Sequence, residues 1–194
     1  MVLRTTDYLS PFTILVVEPH PFMRRMMRSV LQLLGARTII EASSVREAVN
    51  SVEHSPIDFI LSESFLPGMG GSAFTKWLRS KHTDQRFTPV IMVSSEGRVE
   101  KIIEARNAGI NEYVRKPFTA RSLILRIREI IENPRPFVEA AKYSGPDRRR
   151  RATALDAGED KRRPIAIDLG EGDLTQDQID KLVAGDSIKG FGLR

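Results

Sequence analysis

Five short apolar runs punctuate the first two-thirds of this chain, each followed by a stretch of helical spacing, and this alternation restricts the fold more than any other feature. Thr13–Val17 (TILVV) is uncharged and rich in β-branched side chains, as a strand covered on both faces requires. Pro21 then suits a first helical position. Over 22–34 the apolar residues Met23, Met26, Met27, Val30, Leu31 and Leu34 recur at helical intervals, and Gly35 ends the run. Thr38–Ala42 reads as a second strand, and Ser44 with Glu47 three residues on reads as the cap of a helix reaching about residue 53. A third strand over 57–62 (IDFILS) leads through the turn-rich LPGMGG to a helix over 72–80. A fourth strand (89–93) precedes a helix over 99–107 stopped at Gly109, and a fifth (111–114) precedes a helix opened by Thr119 and ended at Asn133-Pro134. Strands alternating with helices predict an α/β fold with a doubly wound parallel sheet. Such sheets bind ligands beyond the carboxyl ends of their strands. That singles out Glu18 and Pro19, Glu63, Ser94 and Ser95, and Lys116 and Pro117.

Composition removes several classes. No apolar run approaches the roughly 20 residues of a membrane-spanning helix, so no transmembrane segment is expected. Residues 1–11 lack the apolar core of a signal peptide. Cysteine is absent, which excludes disulfides and fits a reducing, cytoplasmic setting. A net charge of +5 permits an acidic partner without demanding one. His20, His54 and His82 have no metal-ligand spacing and read as surface residues, and the methionines of the first helix read as core.

Four segments in order, ILVVEP, ILSESFLPGMGG, PVIMVSSEG and AGINEYVRKPFT, resemble the successive strand ends of the CheY-like receiver domains of response regulators. The resemblance covers roughly residues 12–133. It implies a flavodoxin-like five-stranded sheet of order 2-1-3-4-5 with helices on both faces, followed here by a largely irregular C-terminal tail with one short helix. It also implies a site: an acidic pair that holds a divalent metal, a phosphoacceptor Asp, a Ser or Thr and a Lys that bind the phosphoryl group, and a switch aromatic on the fifth strand. Glu18 fills the first acidic position, but Pro19, which has no ionisable group, stands at the second. Mg²⁺ wants several oxygen ligands in octahedral geometry, so no cofactor is expected beyond at most weak Mg²⁺ binding. Glu63 stands at the phosphoacceptor position, one methylene longer than Asp and so misplaced for in-line attack. Ser94, Lys116 with Pro117, and Tyr113 match the family pattern.

The expectation is a pseudo-receiver in two-component, phosphorelay or chemotaxis signalling that acts by protein–protein binding. It is not an enzyme, beyond vestigial phosphoacceptor or autophosphatase chemistry. Its partners would be a histidine kinase, a motor switch protein or another receiver-binding protein. Glu63 either stands in for phosphoryl charge, pairing with Lys116 and hydrogen-bonding Ser94, or is inert on a drifted edge. Two alternatives stay open: a conventional phosphorylatable receiver with residual metal-dependent chemistry, and a nucleic-acid or membrane binder acting through the arginine-rich tail.

The chain divides into an N-terminal extension (1–11), the receiver domain (12–133), a flexible basic linker (134–173), a short amphipathic helix (174–185) and a terminal tail (186–194). The basic runs at 148–151 (RRRR) and 161–163 (KRR) are interleaved with Asp156, Glu159 and Asp160 and carry no aromatics for base stacking, so no specific nucleic acid is expected. Ile165, Ile167 and Leu169 give a weak strand signal. In LTQDQIDKLVAG, Thr175 and Gln178 make a capping box and Leu174 and Ile179 a hydrophobic staple. Ile179, Leu182 and Val183 form one face, and Gly185 stops the helix. So short a helix needs a groove. The segment resembles the CheY-binding peptide of the flagellar switch protein FliM, LSQ-x-EID-x-LL, with Gln178 in place of Glu. That resemblance points to a partner face containing Ile102, Arg106, Tyr113 and Arg126, on the same molecule or a neighbour.

Overall fold

The computed structural model describes residues 8–140, 143–147 and 173–185. Five βα units succeed one another: β1 (Thr13–Val17), α1 (Pro21–Leu33), β2 (Thr38–Ala42), α2 (Val45–His54), β3 (Phe59–Ser62), α3 (Gly71–Arg79), β4 (Val90–Ser94), α4 (Val99–Ala108), β5 (Glu112–Arg115) and α5 (Ala120–Glu132). The strands are parallel in the order β2-β1-β3-β4-β5, as the resemblance implies.

The strands' two-residue side-chain period divides the interior into two cores. Ile14, Val16, Leu61, Ile91, Val93 and Val114 point to one face, where Met27 and Leu31 of α1 and Leu123, Ile127 and Ile130 of α5 cover them. Leu15, Val17, Ile60, Val90, Met92 and Tyr113 point to the other, against Ala48 and Val52 of α2, Phe74 and Leu78 of α3, and Ile102 and Ala105 of α4. Each fully buried large aliphatic side chain contributes about 1.5–3 kcal/mol of transfer free energy. The first core reaches further towards the N-terminus than the sequence suggests. Leu9, placed in the N-terminal extension, is fully buried there, and its N–H bonds to Leu34 O at 3.3 Å.

The flexible linker expected from residue 134 is not what residues 137–140 and 143–146 form. Phe137–Ala140 (β6) and Tyr143–Pro146 (β7) pair as an antiparallel hairpin. Its anchor is aromatic: Phe137 meets Phe87 edge-on at 4.8 Å, and the Arg79 and Arg86 guanidinium groups lie 5.7 and 5.9 Å from the Phe137 ring centre. Arg86 also pairs with Glu139 at 2.5 Å. Two glycines let the backbones touch: a Cβ on Gly145 would lie 2.8 Å from Gly109 Cα, and one on Gly109 would lie 2.7 Å from Ser144 O. The runs at 148–151 and 161–163, the strand signal around residue 167 and the terminal tail lie outside the described residues.

The last element among the described residues, α6 (Gln176–Val183), has the expected capping box between Thr175 and Gln178 and the expected stop at Gly185, whose φ is 88°. Leu174, Ile179, Leu182 and Val183 are all buried in the same core as Ile102 and Tyr113. No helix among the described residues is long and apolar enough to cross a membrane.

Candidate functional site

Sheet register assembles the site. Val17 lies opposite both Ala42 and Ser62, so the two residues that follow β1 and β3, Glu18 and Glu63, emerge side by side. The Glu63 N–H bonds to Val17 O at 2.9 Å, and the Lys116 N–H to Ser94 O at 2.8 Å. Gly71 at the start of α3 permits the tight return after β3, since a Cβ there would lie 2.3 Å from Glu63 O. An open cleft of about 1100 Å³ stands over this edge, lined among others by Glu18, Glu63, Ser94 and Lys116.

At its floor are three charges. Lys116 Nζ donates to Glu18 Oε2 and to Glu63 Oε2, each at 2.6 Å. The other oxygens are engaged as well. Glu18 Oε1 accepts from the His20 N–H at 2.9 Å. Glu63 Oε1 accepts from the N–H and hydroxyl of Ser64 at 2.6 and 3.0 Å, and from the Phe65 N–H at 3.3 Å. Burial raises the Glu63 carboxyl, but Lys116, with the Ser94 hydroxyl and the Phe65 N–H, outweighs it and holds the group below the usual carboxylate range. Burial likewise lowers the Lys116 ammonium, and Glu18 and Glu63 together raise it above its ordinary value.

Ser94 is tied to this cluster chiefly through Ser64, which the sequence did not single out. The two hydroxyl oxygens are 2.5 Å apart, and Ser94 Oγ also accepts from the Glu96 N–H at 3.2 Å. Pro19 contributes only its carbonyl, 3.4 Å from an Arg24 Nη1 whose stronger bond is to Glu18 O at 2.7 Å. Pro117 follows Lys116 through a cis peptide bond. Among the described residues no group of three or more His, Cys, Asp or Glu side chains could hold a metal ion.

A second assembly lies on α4 and β5. Tyr113 is 1% exposed, and its hydroxyl donates to Glu96 O at 2.8 Å. Burial, aided by the charges of Glu63 and Glu96, pushes its pKa to about 12. The expected face residues meet α6: Arg106 Nη1 donates to Leu182 O at 3.1 Å, Arg126 pairs with Asp180, and Ile102 is fully buried. Asp177, the other acidic residue of α6, pairs with Lys181 within the helix at 2.7 Å. Three residues of the attachment were not anticipated. Arg115 donates to Leu174 O at 2.5 Å and to Asp173 Oδ2 at 2.7 Å. Gln176 bonds to the β5 backbone. Gly97 O accepts from the Leu174 N–H at 3.0 Å.

Comparison with known proteins agrees with this geometry. Residues 14–128 match the family described as response regulator receiver domain. The chemotaxis protein CheY of Pseudomonas aeruginosa is 37% identical over 121 residues, 61% of this chain and 95% of that protein. CheY-3 of Vibrio cholerae is 34% identical over 119 residues, 61% of this chain and 91% of that one. Among solved structures, chemotaxis response regulator CheY4 of Vibrio cholerae is similar at a TM-score of 0.56 and 28% identity, covering 61% of this chain and 98% of its own. The receiver domain of the Pseudomonas aeruginosa sensor histidine kinase PA1611, solved with magnesium in its active-site cleft, is similar at 0.58 and 27%, covering 62% and 98%. With the sheet order, the strand-end cluster and these matches in agreement, the chain belongs to the response regulator receiver domain family.

Proposed function

We propose that this chain relays signals by binding other proteins through its α4–β5–α5 face, with the Glu63–Lys116 pair standing where other receivers take a phosphoryl group. One observation carries the reading: both oxygens of Glu63 are engaged, Oε2 by Lys116 and Oε1 by Ser64 and Phe65, so the carboxylate is tied down as the charged partner of Lys116 and, one methylene longer than Asp, is misplaced for in-line attack. The longer side chain of Glu63 carries a fixed negative charge nearer to where phosphoryl oxygens would sit, and Lys116 pairs with it there.

The face has its own occupant, α6, so a partner must displace it. Its apolar stripe and arginines suit an amphipathic helix with acidic residues, and the α6 sequence has that chemistry. Signalling proteins of two-component pathways, histidine kinases and switch proteins among them, are the partner class, with no sequence-specific nucleic acid.

The test uses the full chain. After treatment with acetyl phosphate and Mg²⁺, intact-mass measurement is expected to show no phosphoryl adduct. Glu63→Asp alone is expected to stay unmodified, and Pro19→Asp with Glu63→Asp to gain the adduct, because the metal neutralises charge in the transferring group. A wild-type adduct that disappears in Glu63→Gln overturns the reading.

A further inference from the structure

The family-implied divalent cation does not fit the residues present. A small hard cation needs carboxylate oxygens free to turn towards it at about 2.0–2.1 Å, in a near-octahedral set. Here the two carboxylates that would supply them converge on one atom, Lys116 Nζ, at 2.6 Å each. Glu18 Oε1 is held by the His20 N–H, and Glu63 Oε1 by Ser64 and Phe65. Pro19 offers no third carboxylate. Both acids are nearly inaccessible, with side chains 3% and 11% exposed, so water can do little to replace a lost partner.

Resting on the pseudo-receiver reading, we infer that the Lys116 ammonium occupies the cation position of this site, so that the wild-type chain excludes divalent metal and removal of Lys116 uncovers a metal site. The physical argument has two parts. A divalent ion entering the wild-type cleft meets an ammonium between its two ligands, and like charges at contact distance in a partly buried site repel strongly. Ejecting Lys116 to make room would strip a largely buried ammonium of both counter-charges, so the lysine and the metal compete for the same oxygens. Without Lys116, two buried carboxylates face each other uncompensated, which is the arrangement a cation relieves.

Paramagnetic Mn²⁺ provides the probe, read by broadening of backbone amide NMR signals in the full chain. In wild type, millimolar Mn²⁺ is expected to give no saturable broadening at Glu18, Glu63 and Ser64. In Lys116→Met the same amides are expected to broaden saturably, with affinity at least about tenfold above any wild-type binding, which converts to about 1.4 kcal/mol. Lys116→Arg, which keeps the cation, is expected to behave as wild type. If the Met variant does not fold, Lys116→Gln, which removes the charge and keeps an N–H donor, is measured in its place with the same expectation. Saturable wild-type binding at these amides overturns the inference, as does a folded neutral variant with no gain. Either result would leave the intact-mass result standing, so this inference and the functional reading fail separately.

Discussion

Gln176 closes the open edge of β5 by placing its side-chain amide against Tyr113. Its Nε2 donates to Tyr113 O at 2.7 Å, and its Oε1 accepts from the Arg115 N–H, also at 2.7 Å. Among the described residues β5 is the edge strand of the sheet, so these two outward groups have no strand partner there, and one carboxamide serves both. Docking of α6 therefore has a polar registration point as well as an apolar face. Gln176→Ala is expected to weaken docking by about 1–3 kcal/mol, the cost of leaving such groups unsatisfied. Hydrogen exchange checks it: the Arg115 amide should lose protection while amides in β1 and β3 keep theirs.

Gly97 sets how closely the tail approaches. A Cβ there would lie 2.6 Å from Asp173 Cβ and 2.7 Å from its Cγ. Gly97→Ala is expected to displace the start of the α6 segment and shift NMR signals at Leu174 and Gln176, with the Lys116 and Glu63 signals little changed. Asp173→Gly removes every atom of that clash, so the double variant should regain the wild-type shifts at Gln176. Failure of that rescue would place the conflict elsewhere. The lost Arg115–Asp173 pair is exposed and worth at most about 1 kcal/mol.

The strand-edge charges define a pH window. The folded Glu63 value is depressed, so its stabilisation is present above the ordinary carboxyl value near 4.5 and is lost as pH falls through the folded value. The folded Lys116 value is raised, so its stabilisation is present below about 10.5 and is lost as pH rises through the folded value. Urea midpoints of wild type should therefore fall at both ends. Glu63→Gln should flatten the acid limb and Lys116→Met the alkaline one. Unchanged limbs in both variants would show that other groups set the profile.

Arg79 ties the hairpin side of the molecule together. Its guanidinium donates to Gly109 O at 3.0 and 2.9 Å, to Thr88 O at 2.8 Å and to Arg86 O at 2.5 Å. Burial lowers its pKa to about 10, against a smaller opposing pull from Tyr143. Arg79→Met keeps much of the volume and strands these carbonyls, so a loss of about 2–4 kcal/mol is expected in denaturant unfolding. Phe137→Ala should free the hairpin at lower cost, which limited proteolysis near residue 140 would detect.

Local rules made much of this molecule legible in its sequence. Strand and helix periodicity located the five βα units, because burial on two faces or one stripe is written in residue spacing. The parallel topology then forced Glu18, Glu63 and Lys116 to one edge, so the candidate cluster could be named without coordinates. Capping chemistry fixed both ends of α6 for the same local reason. The partners were decided only in three dimensions. Lys116 lies 98 residues from Glu18 and 53 from Glu63, and its choice to bridge both follows from how three loops converge. Ser64 looks like any loop serine until its hydroxyl lands 2.5 Å from Ser94. Gln176, Arg115 and Gly97 acquire roles only where the tail meets β5 and α4, and the hairpin exists because Phe137 finds Phe87 and Arg79. Such contacts join segments far apart in the chain, and side-chain geometry at closure, which no local periodicity records, selects them.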